Sequence, residues 1–198
     1  MIVVLIDNGH GSNTPEKCSP DLKHREYQWA RDVAQRLENA LTAEGITATR
    51  IVTEQRDISI AERCRRANAV CRQFGAKNVI LISLHNNAAG NNRQWLNARG
   101  WSGHVSLNAS SRSKRLAQLL YDQAERLGLQ GNRSVPKERY WVQNLGICRD
   151  SHCPAVLTEN LFQDNREDVA ILDSEEGKQR IVELHVEGIK NYIKEYGQ

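Results

Sequence analysis

Three residues that can bind a metal ion or move a proton follow three short apolar runs of the sequence. His10 stands after IVVLID, His85 stands after NVILIS, and Glu159 ends the run PAVLTE. Two histidines and one carboxylate can supply the three protein ligands of a zinc site with an open fourth position, or two ligands and a general base. Any one of them alone is equally well explained as a polar cap of a strand. Their repetition at three strand ends favours chemistry.

The three runs have the length and composition of buried β-strands. IVVLID begins at Ile2, NVILIS at Asn78 and PAVLTE at Pro154. Such continuous apolar runs are typical of parallel strands that are covered on both faces. In open α/β sheets, ligands bind just beyond the carboxyl ends of the strands. The sequence therefore predicts that the two histidines and the glutamate share one edge of a sheet.

Weaker strands and several helices complete the pattern. The additional strand segments are ITATRIV from Ile46, His104 to Leu107, and Tyr140 to Val142. Apolar residues recur at helical spacing over residues 29–41, 60–74, 116–127 and 181–193, and Gly45, Gly75 and Gly128 end the first three. Strands alternating with amphipathic helices predict an α/β fold. We expect a single domain over residues 1–198, with a twisted, mostly parallel sheet of about six strands and helices on both faces.

Three irregular stretches, residues 9–25, 86–103 and 131–139, are rich in Gly, Asn, Ser and Pro. Long loops in a compact domain are more often functional than not. Trp95, Trp101, Tyr140 and Trp141 lie in or beside these stretches. Each is a candidate for stacking on a sugar or a peptide, or for a place at the edge of the core.

The composition excludes several classes of protein. Of the 198 residues, 39% are hydrophobic and 26% are charged, which is ordinary for a globular chain and far from the composition of disorder. The net charge is only +3 and the basic residues are dispersed, so nucleic acid is not an expected partner. No apolar run approaches the roughly 20 residues that a membrane span needs. The sequence does not indicate an oligomeric state.

The start of the chain and its cysteines suggest a cytoplasmic site of synthesis. Met1 leads directly into an apolar run that ends at Asp7, without the basic start and cleavage site of a signal peptide. The five cysteines form no CxxC pair, and their odd number fits neither a disulfide framework nor a cysteine zinc site. We expect reduced cysteines in a protein that is made in the cytoplasm without a signal peptide.

Five motifs, in order along the chain, resemble the catalytic domains of zinc-dependent N-acetylmuramoyl-L-alanine amidases of the type 3 family. They are DNGHG from Asp7, the glutamate-led helix from Glu26, SIAERCRRAN from Ser59, SLHNNA from Ser83 and PAVLTENLFQDN from Pro154. Each motif is moderately specific, and together they cover nearly the whole chain, from Asp7 to the C-terminal helix.

The resemblance implies an activity and a set of site residues. His10, Glu26 and His85 would bind one Zn²⁺ ion, and Glu159 would be the catalytic acid-base. The implied reaction is hydrolysis of the amide between N-acetylmuramic acid and L-alanine in peptidoglycan or in muropeptides. The implied role is cell-wall lysis or remodelling, and we favour an endolysin-like protein that is released to act on the wall over a recycling enzyme of the cytosol.

The residues alone leave the third ligand open. Asp7, Glu16 and His24 compete with Glu26 in the same region, and a glutamate in the first turn of a helix is also explained by the helix dipole. Glu62 and Arg63 have the pattern of an exposed helix turn, and Asn68 that of an amide on a helix surface. The family pattern includes Arg63 and Asn68, and we expect a structural role for both. His104, His152 and His185 match no motif position, so we expect structural roles for them.

Some positions depart from the family pattern, and two other functions stay open. The pair Asn160 and Leu161 replaces a glycine that the family often has after the catalytic glutamate, and GHVSLN replaces an aromatic strand, so the substrate groove is expected to differ in shape. A zinc peptidase or carboxypeptidase acting on stem peptides is one alternative, although neither HExxH nor HxxE is present. A peptidoglycan-binding module without catalysis is the other.

Overall fold

The computed structural model describes residues 1–91 and 93–197. These residues form a six-stranded sheet, with β1 (Val3–Asn8), β2 (Ala48–Arg50), β3 (Val79–Asn87), β4 (Ser102–Val105), β5 (Trp141–Val142) and β6 (Ala155–Phe162). The strand order is β2-β1-β3-β6-β4-β5. The pairs β1–β2, β1–β3, β3–β6 and β4–β5 are parallel, and only the pair β4–β6 is antiparallel. The predicted α/β sheet of about six mostly parallel strands is therefore confirmed.

Six helices surround the sheet: α1 (Glu26–Ala43), α2 (Ile60–Phe74), α3 (Ser111–Arg126), α4 (Gly146–Arg149), α5 (Arg166–Asp173) and α6 (Glu175–Tyr196). A 3-10 turn at Ala76–Asn78 leads into β3. The four predicted helices are present, whereas α4 and α5 were not predicted. Helix α5 has only eight residues, and just Asp168 and Leu172 are buried among them, which is too few for an apolar repeat.

Side chains alternate between the two faces of the central strands, and each face has its own core. Val4 and Ile6 of β1 belong to the larger core, against α1, α3 and α6, whereas Val3 and Leu5 belong to the smaller one, against α2 and α4. Because successive side chains of a strand point to opposite faces, a continuous apolar run requires both faces to be covered. The helices on both faces meet this requirement.

The edge at the carboxyl ends of β1, β3 and β6 carries an irregularity in β6. His85 pairs with Glu159 and Asn87 pairs with Phe162, so two steps along β3 match three steps along β6. Such a bulge re-aims the neighbouring side chains. Leu161 lies within it at a φ of 65°, in the left-handed region that favours glycine. A leucine thus occupies the stretch in which the family that this sequence resembles often has glycine.

No helix of the described ranges is long and apolar enough to span a membrane. The five cysteines are buried as free thiols. Their reduced state in the purified protein stays a prediction.

Candidate metal centre

Three predicted site residues converge at the edge formed by β1 and β3. The Nε2 atom of His10 lies 3.4 Å from Oε1 of Glu26, and Nδ1 of His85 lies 3.1 Å from the same oxygen. One ligand atom from each of the three residues lies within 4.8 Å of the others. The imidazole rings of His10 and His85 meet edge to face, with centroids 4.9 Å apart. The structure thus brings together the three residues that the resemblance named as ligands.

The spacing and the chemistry of these atoms fit a zinc ion. Ligand atoms about 2.0 to 2.2 Å from a tetrahedral zinc are separated by roughly 3.3 to 3.6 Å. The two distances to Glu26 are at or just below this range, and all three ligand atoms lie within 4.8 Å of one another, so side-chain movement must complete the spacing around an ion. Two imidazoles and one carboxylate are also the donor set of catalytic zinc sites that keep one position open. His10 and His85 remain partly exposed, at 19% and 16% of their side-chain surface, which leaves that position accessible.

The two glycines beside His10 provide space. A Cβ atom on Gly9 would lie 2.2 Å from the ring of His85, and one on Gly11 would lie 1.9 Å from the backbone nitrogen of Asp57. Neither glycine has a positive φ; instead His10 itself adopts a φ of 58°. The glycines therefore allow the loop to approach β3 and the residues before α2 closely.

Arg63 of α2 is buried against the loop that carries His10, so the prediction that it lies on an exposed helix turn is wrong. Its side chain is 2% exposed, and Nη1 donates to Oδ1 of Asp7 at 2.5 Å and to the carbonyl of Asn8 at 2.8 Å. Nη2 donates to Asp57 at 2.9 Å and to the carbonyl of His10 at 3.3 Å. Its pairing with Asp7 allows the guanidinium to be buried.

Asn68, one turn further along α2, is likewise buried rather than on the helix surface. Its amide nitrogen donates to the carbonyl of Asp150 at 2.9 Å, and its amide oxygen accepts from the backbone nitrogen of His152 at 2.8 Å. The side chain therefore ties α2 to the segment that precedes β6. The structural role expected for Arg63 and Asn68 is consistent with these contacts.

Glu26 is completely buried, which the helix dipole would not require. Its Oε1 accepts from the backbone nitrogen of Asn86 at 3.0 Å, and its Oε2 accepts from Nε2 of Gln163 at 3.2 Å. Burial raises the pKa of Glu26, but the hydrogen bonds and charges of His10 and His85 outweigh burial and hold it well below its ordinary value. Glu26 is therefore ionised and oriented for a cation.

The other residues that competed for the third ligand have different partners. Asp7 binds Arg63 and also accepts from the hydroxyl of Ser83 at 2.5 Å. Glu16 lies at the surface, where Arg93 approaches it to 3.3 Å. His24 contacts Asn86 and Asp173 instead of the three ligand atoms.

His24 was not predicted to support the site, yet its imidazole bridges Asn86 and Asp173. Its Nε2 lies 2.9 Å from Oδ1 of Asn86, and its Nδ1 lies 2.7 Å from Oδ1 of Asp173. Asn86 in turn donates its backbone N–H to Glu26. These contacts together fix the position of Glu26. In the sequence, they are signalled only by a histidine two residues before that glutamate.

Glu159 occupies the position in β6 that is paired with His85 of β3. The residue is partly exposed, but Oε2 is buried and has no hydrogen-bond partner among the described residues. Burial raises the pKa of Glu159 to about 7, with the positive charge of His85 opposing and the negative charge of Glu26 adding to this effect. A carboxyl group of this kind can both accept and donate a proton near neutral pH.

One cleft is lined by His85 and a second by Glu159, its partner in the β3–β6 pairing. The first, of about 580 Å³, is lined by His10 and His85 together with apolar side chains that include Ile58, Ile60 and Leu145. The second, of about 320 Å³, is lined by Glu159 and by polar and aromatic side chains.

A sequence profile described as N-acetylmuramoyl-L-alanine amidase matches residues 4–191. This chain belongs to the N-acetylmuramoyl-L-alanine amidase family. The matched region includes all four residues of the site, His10, Glu26, His85 and Glu159.

Individual members of the amidase family are similar over almost the whole chain. The endolysin of Bacillus phage SPP1 is 25% identical over 193 residues, which cover 96% of this chain and 66% of the endolysin. The N-acetylmuramoyl-L-alanine amidase CwlM of Bacillus licheniformis is 26% identical over 191 residues, which cover 96% of this chain and 68% of CwlM. The chain therefore spans about two thirds of the length of these relatives.

The solved structure of an N-acetylmuramoyl-L-alanine amidase from Clostridium difficile 630 superposes with a TM-score of 0.82 and is 25% identical. The superposition covers 98% of this chain and 97% of that one. The observed α/β architecture is thus the architecture of the amidase family.

The aromatic residues near the loops have different positions in this amidase fold. Trp101 is fully buried and donates its indole N–H to Asn160 at 2.9 Å, so it belongs to the core. The guanidinium of Arg166 lies over Trp95, with its Cζ atom 4.4 Å from the centroid of the indole ring. Trp141 lines the same cleft as Glu159. Among these three, Trp141 is the aromatic side chain placed to contact a ligand beside the site.

Proposed function

We propose that this chain hydrolyses the amide bond between N-acetylmuramic acid and L-alanine in peptidoglycan, with one zinc ion bound by His10, Glu26 and His85. The observation that carries the proposal is the convergence of these three ligand atoms beside Glu159 in a chain of the amidase family. An ionised Glu26 and two accessible imidazoles suit a cation, and Oε2 of Glu159 has no hydrogen-bond partner in the part of the chain that the structure describes.

When bound, zinc would polarise the amide carbonyl and lower the pKa of water from about 16 toward 7. Glu26 and the two histidines would hold it in place, and the backbone N–H of Asn86 would keep Glu26 oriented. Outer contacts of this kind fix the geometry of metal ligands and tune their affinity.

Glu159 would carry out the proton transfers. As base, it accepts a proton from the water whose oxygen forms the new bond to the lactyl carbonyl carbon. As acid, it then returns that proton to the nitrogen of L-alanine as the carbon–nitrogen bond breaks. The products are a free muramic carboxyl and a stem peptide with a free amine. Burial raises the pKa of Glu159, which suits a carboxyl group that takes up a proton and returns it.

Arg63 and Arg31 would keep the loop of His10 in place during these steps. Nη2 of Arg31 donates to the carbonyl of His10 at 3.0 Å, and Arg63 donates to the same carbonyl. With two guanidinium groups on one carbonyl, the backbone of His10 is restrained before any cation binds. Such restraint reduces the reorganisation needed for binding and catalysis.

Digestion of muropeptides followed by mass spectrometry tests the proposed reaction. We expect free stem peptides that begin with L-alanine, together with glycan that has lost its peptides. Stems shortened at their far end would instead indicate a zinc peptidase or carboxypeptidase. Intact glycan–peptide that co-sediments with the protein would indicate a binding module, and either of these results would overturn the proposal.

We further propose that the protein acts on the cell wall as a lysin, after its synthesis in the cytoplasm. The similarity to the endolysin of Bacillus phage SPP1 supports this role. Addition of the purified protein to suspensions of intact cell wall tests this role. A lysin should reduce the turbidity of the suspension, whereas failure to act on intact wall would favour a recycling enzyme.

A further inference from the structure

The second cleft contains polar atoms that the proposed proton transfers do not use. It is lined by Glu159, His104, Arg133, Trp141 and Phe162, together with residues of the 87–89 segment and Gln143 and Ala98. Arg133 belongs to the irregular stretch 131–139 that the sequence marked as a candidate functional loop. His104 was expected only to be structural.

Arg133 lines this cleft with two donor atoms that have no hydrogen-bond partner among the described residues. Its guanidinium lies over the ring of Phe162, 4.7 Å from the centroid, and over that of Trp141, at 5.1 Å. Nε and Nη2 are buried, and neither has a hydrogen-bond partner among the described residues. Buried donors without partners are rare, because each costs free energy, and those on a charged group cost the most. The two aromatic rings hold the cation in place without using its N–H groups.

His104 adds a further unpartnered atom. Its side chain is 3% exposed, its Nε2 lies 3.0 Å from the hydroxyl of Ser102, and its Nδ1 is buried without a partner in the described residues. The ring stacks on Trp141, with centroids 5.7 Å apart. If the hydroxyl of Ser102 donates to Nε2, Nδ1 carries the proton and is a donor. Arg133 thus lines the cleft with donors that lack acceptors, and His104 adds a ring nitrogen that is a further donor when Ser102 donates to Nε2.

The loop that carries Arg133 is fixed to the segment before β4. The side chain of Asn132 donates to the carbonyl of Asn97 at 2.8 Å and accepts from the backbone nitrogen of Arg99 at 3.0 Å. A Cβ atom on Gly131 would lie 2.1 Å from the carbonyl oxygen of Arg99, so the two segments touch. The guanidinium is therefore presented by an anchored loop.

An unpaired guanidinium flanked by a second donor is complementary to a carboxylate, which arginine binds through two parallel hydrogen bonds. Within the proposed substrate, the muramic acid has its carboxyl group in the bond to be cut, so free carboxylates occur only on the peptide. The first of them is the α-carboxyl of the γ-linked D-glutamate that follows L-alanine, which is free in some walls and amidated in others. Two residues span at most about 7 Å, so this group stays close to Glu159.

We propose that Arg133, with His104, binds the free α-carboxylate of the second residue of the stem peptide and thereby selects the acid form over the amide form. The inference rests on the proposed function for the identity of the substrate. It places the peptide in the cleft of Arg133 and leaves the cleft lined by Ile58, Ile60 and Leu145 for the glycan side.

Equilibrium binding of two uncleavable product dipeptides tests the proposal independently of catalysis. L-alanyl-D-glutamate whose γ-carboxyl is capped as the methylamide carries the α-carboxylate as its one carboxylate, and L-alanyl-D-isoglutamine with the same cap carries the amide in its place. Calorimetric or ligand-observed NMR titrations of the zinc-loaded protein should give at least about tenfold tighter binding of the acid, the range expected for hydrogen bonds to a charged group. Equal affinity for the two dipeptides would overturn the proposal.

Variants assign the preference to Arg133. Arg133→Met should bind both dipeptides equally, and Arg133→Lys should keep part of the preference, because the charge remains without the planar pair of donors. Lys137→Met removes an exposed cation from the same loop and should leave the preference unchanged. Circular dichroism establishes that each variant is folded. A folded Arg133→Met that still prefers the acid would contradict the assignment.

Cleavage assays separate this inference from the proposed function. If the protein prefers the acid dipeptide but releases no stem peptide from muropeptides, the proposed reaction fails and the carboxylate site stands. If it cleaves acid and amidated muropeptides with equal kcat/KM and binds both dipeptides equally, the proposed reaction stands and the carboxylate site fails.

Discussion

His85 and Glu159 occupy paired positions on the neighbouring parallel strands β3 and β6. The strand register, rather than a flexible loop, therefore sets the separation between a proposed zinc ligand and the proposed acid-base. Beyond this pair the register shifts by one residue, and the bulge at Leu161 changes the course of β6 immediately after Glu159. A site built on strands is held more rigidly than one built on loops alone.

Replacing Gly9 should impair metal binding more than folding. In Gly9→Ala the new Cβ would overlap the ring of His85, which must move away from His10 and Glu26. We expect zinc affinity to fall by at least about tenfold, as for changes that displace metal ligands from their orientation. Competition with a chromophoric chelator measures it.

Gly45→Ala is the matched control for this change. Gly45 has open space around it, although its φ of 73° makes alanine unfavourable by about 1 kcal/mol. It should lower stability modestly and leave zinc affinity unchanged. If Gly9→Ala binds zinc as tightly as the parent, the close approach of Gly9 to His85 does not support the metal centre.

Removing the guanidinium of Arg63 should destabilise the protein strongly. In Arg63→Met, Asp7 loses the partner of its buried charge, and breaking a buried ion pair from one side typically costs about 3 to 5 kcal/mol. Arg65→Met, two residues along the same helix, removes a guanidinium that is 67% exposed and should change the free energy of unfolding far less. Denaturant unfolding of both variants measures the difference. Similar losses in the two would show that the contact of Arg63 with Asp7 is not important for stability.

The fully buried His185 should make stability depend on pH. Burial lowers its pKa to about 4 from an ordinary value of 6.5, against the effect of its hydrogen bond to the carbonyl of Ile181. Between pH 6.5 and 4 the unfolded chain therefore takes up a proton that the folded one does not, so stability falls with falling pH. The full difference is on the order of 3 kcal/mol.

Unfolding free energies from pH 7 to 4 measure this contribution. His185→Gln should lose stability less steeply over that interval than the parent, whatever its stability at pH 7. His152→Gln, at an exposed position, should keep the slope of the parent. An unchanged slope in His185→Gln would mean that His185 is not held neutral in the folded protein.

The sequence predicted the parts of the site that depend on strands. The apolar runs before His10 and His85 and around Glu159 predicted three strands, and parallel strands share the edge at which their carboxyl ends meet. Glu26 could not be assigned from the residues alone, because its burial depends on how α1 packs against β3. Only the family resemblance singled it out.

Arg63 and Arg133 show why other parts were missed. Periodicity locates apolar side chains, so a guanidinium that is buried by pairing with Asp7 leaves no signal and was assigned to the surface. Arg133 likewise left no signal in the sequence. Its place over the rings of Trp141 and Phe162 depends on contacts between segments that are distant in sequence. The stretch 131–139 was nevertheless marked as a candidate functional loop by its composition.

The cleavage rate per bound zinc in two glutamate variants tests the central claim most directly. Glu159→Gln should keep its zinc and its fold, because the amide is nearly isosteric, yet its rate should fall by about 10² to 10⁴-fold through loss of the proton transfers. Glu26→Gln should instead lose zinc, with occupancy and activity partly restored by excess metal. The result that would contradict the account is a Glu159→Gln variant that carries a full equivalent of zinc and cleaves at the parent rate.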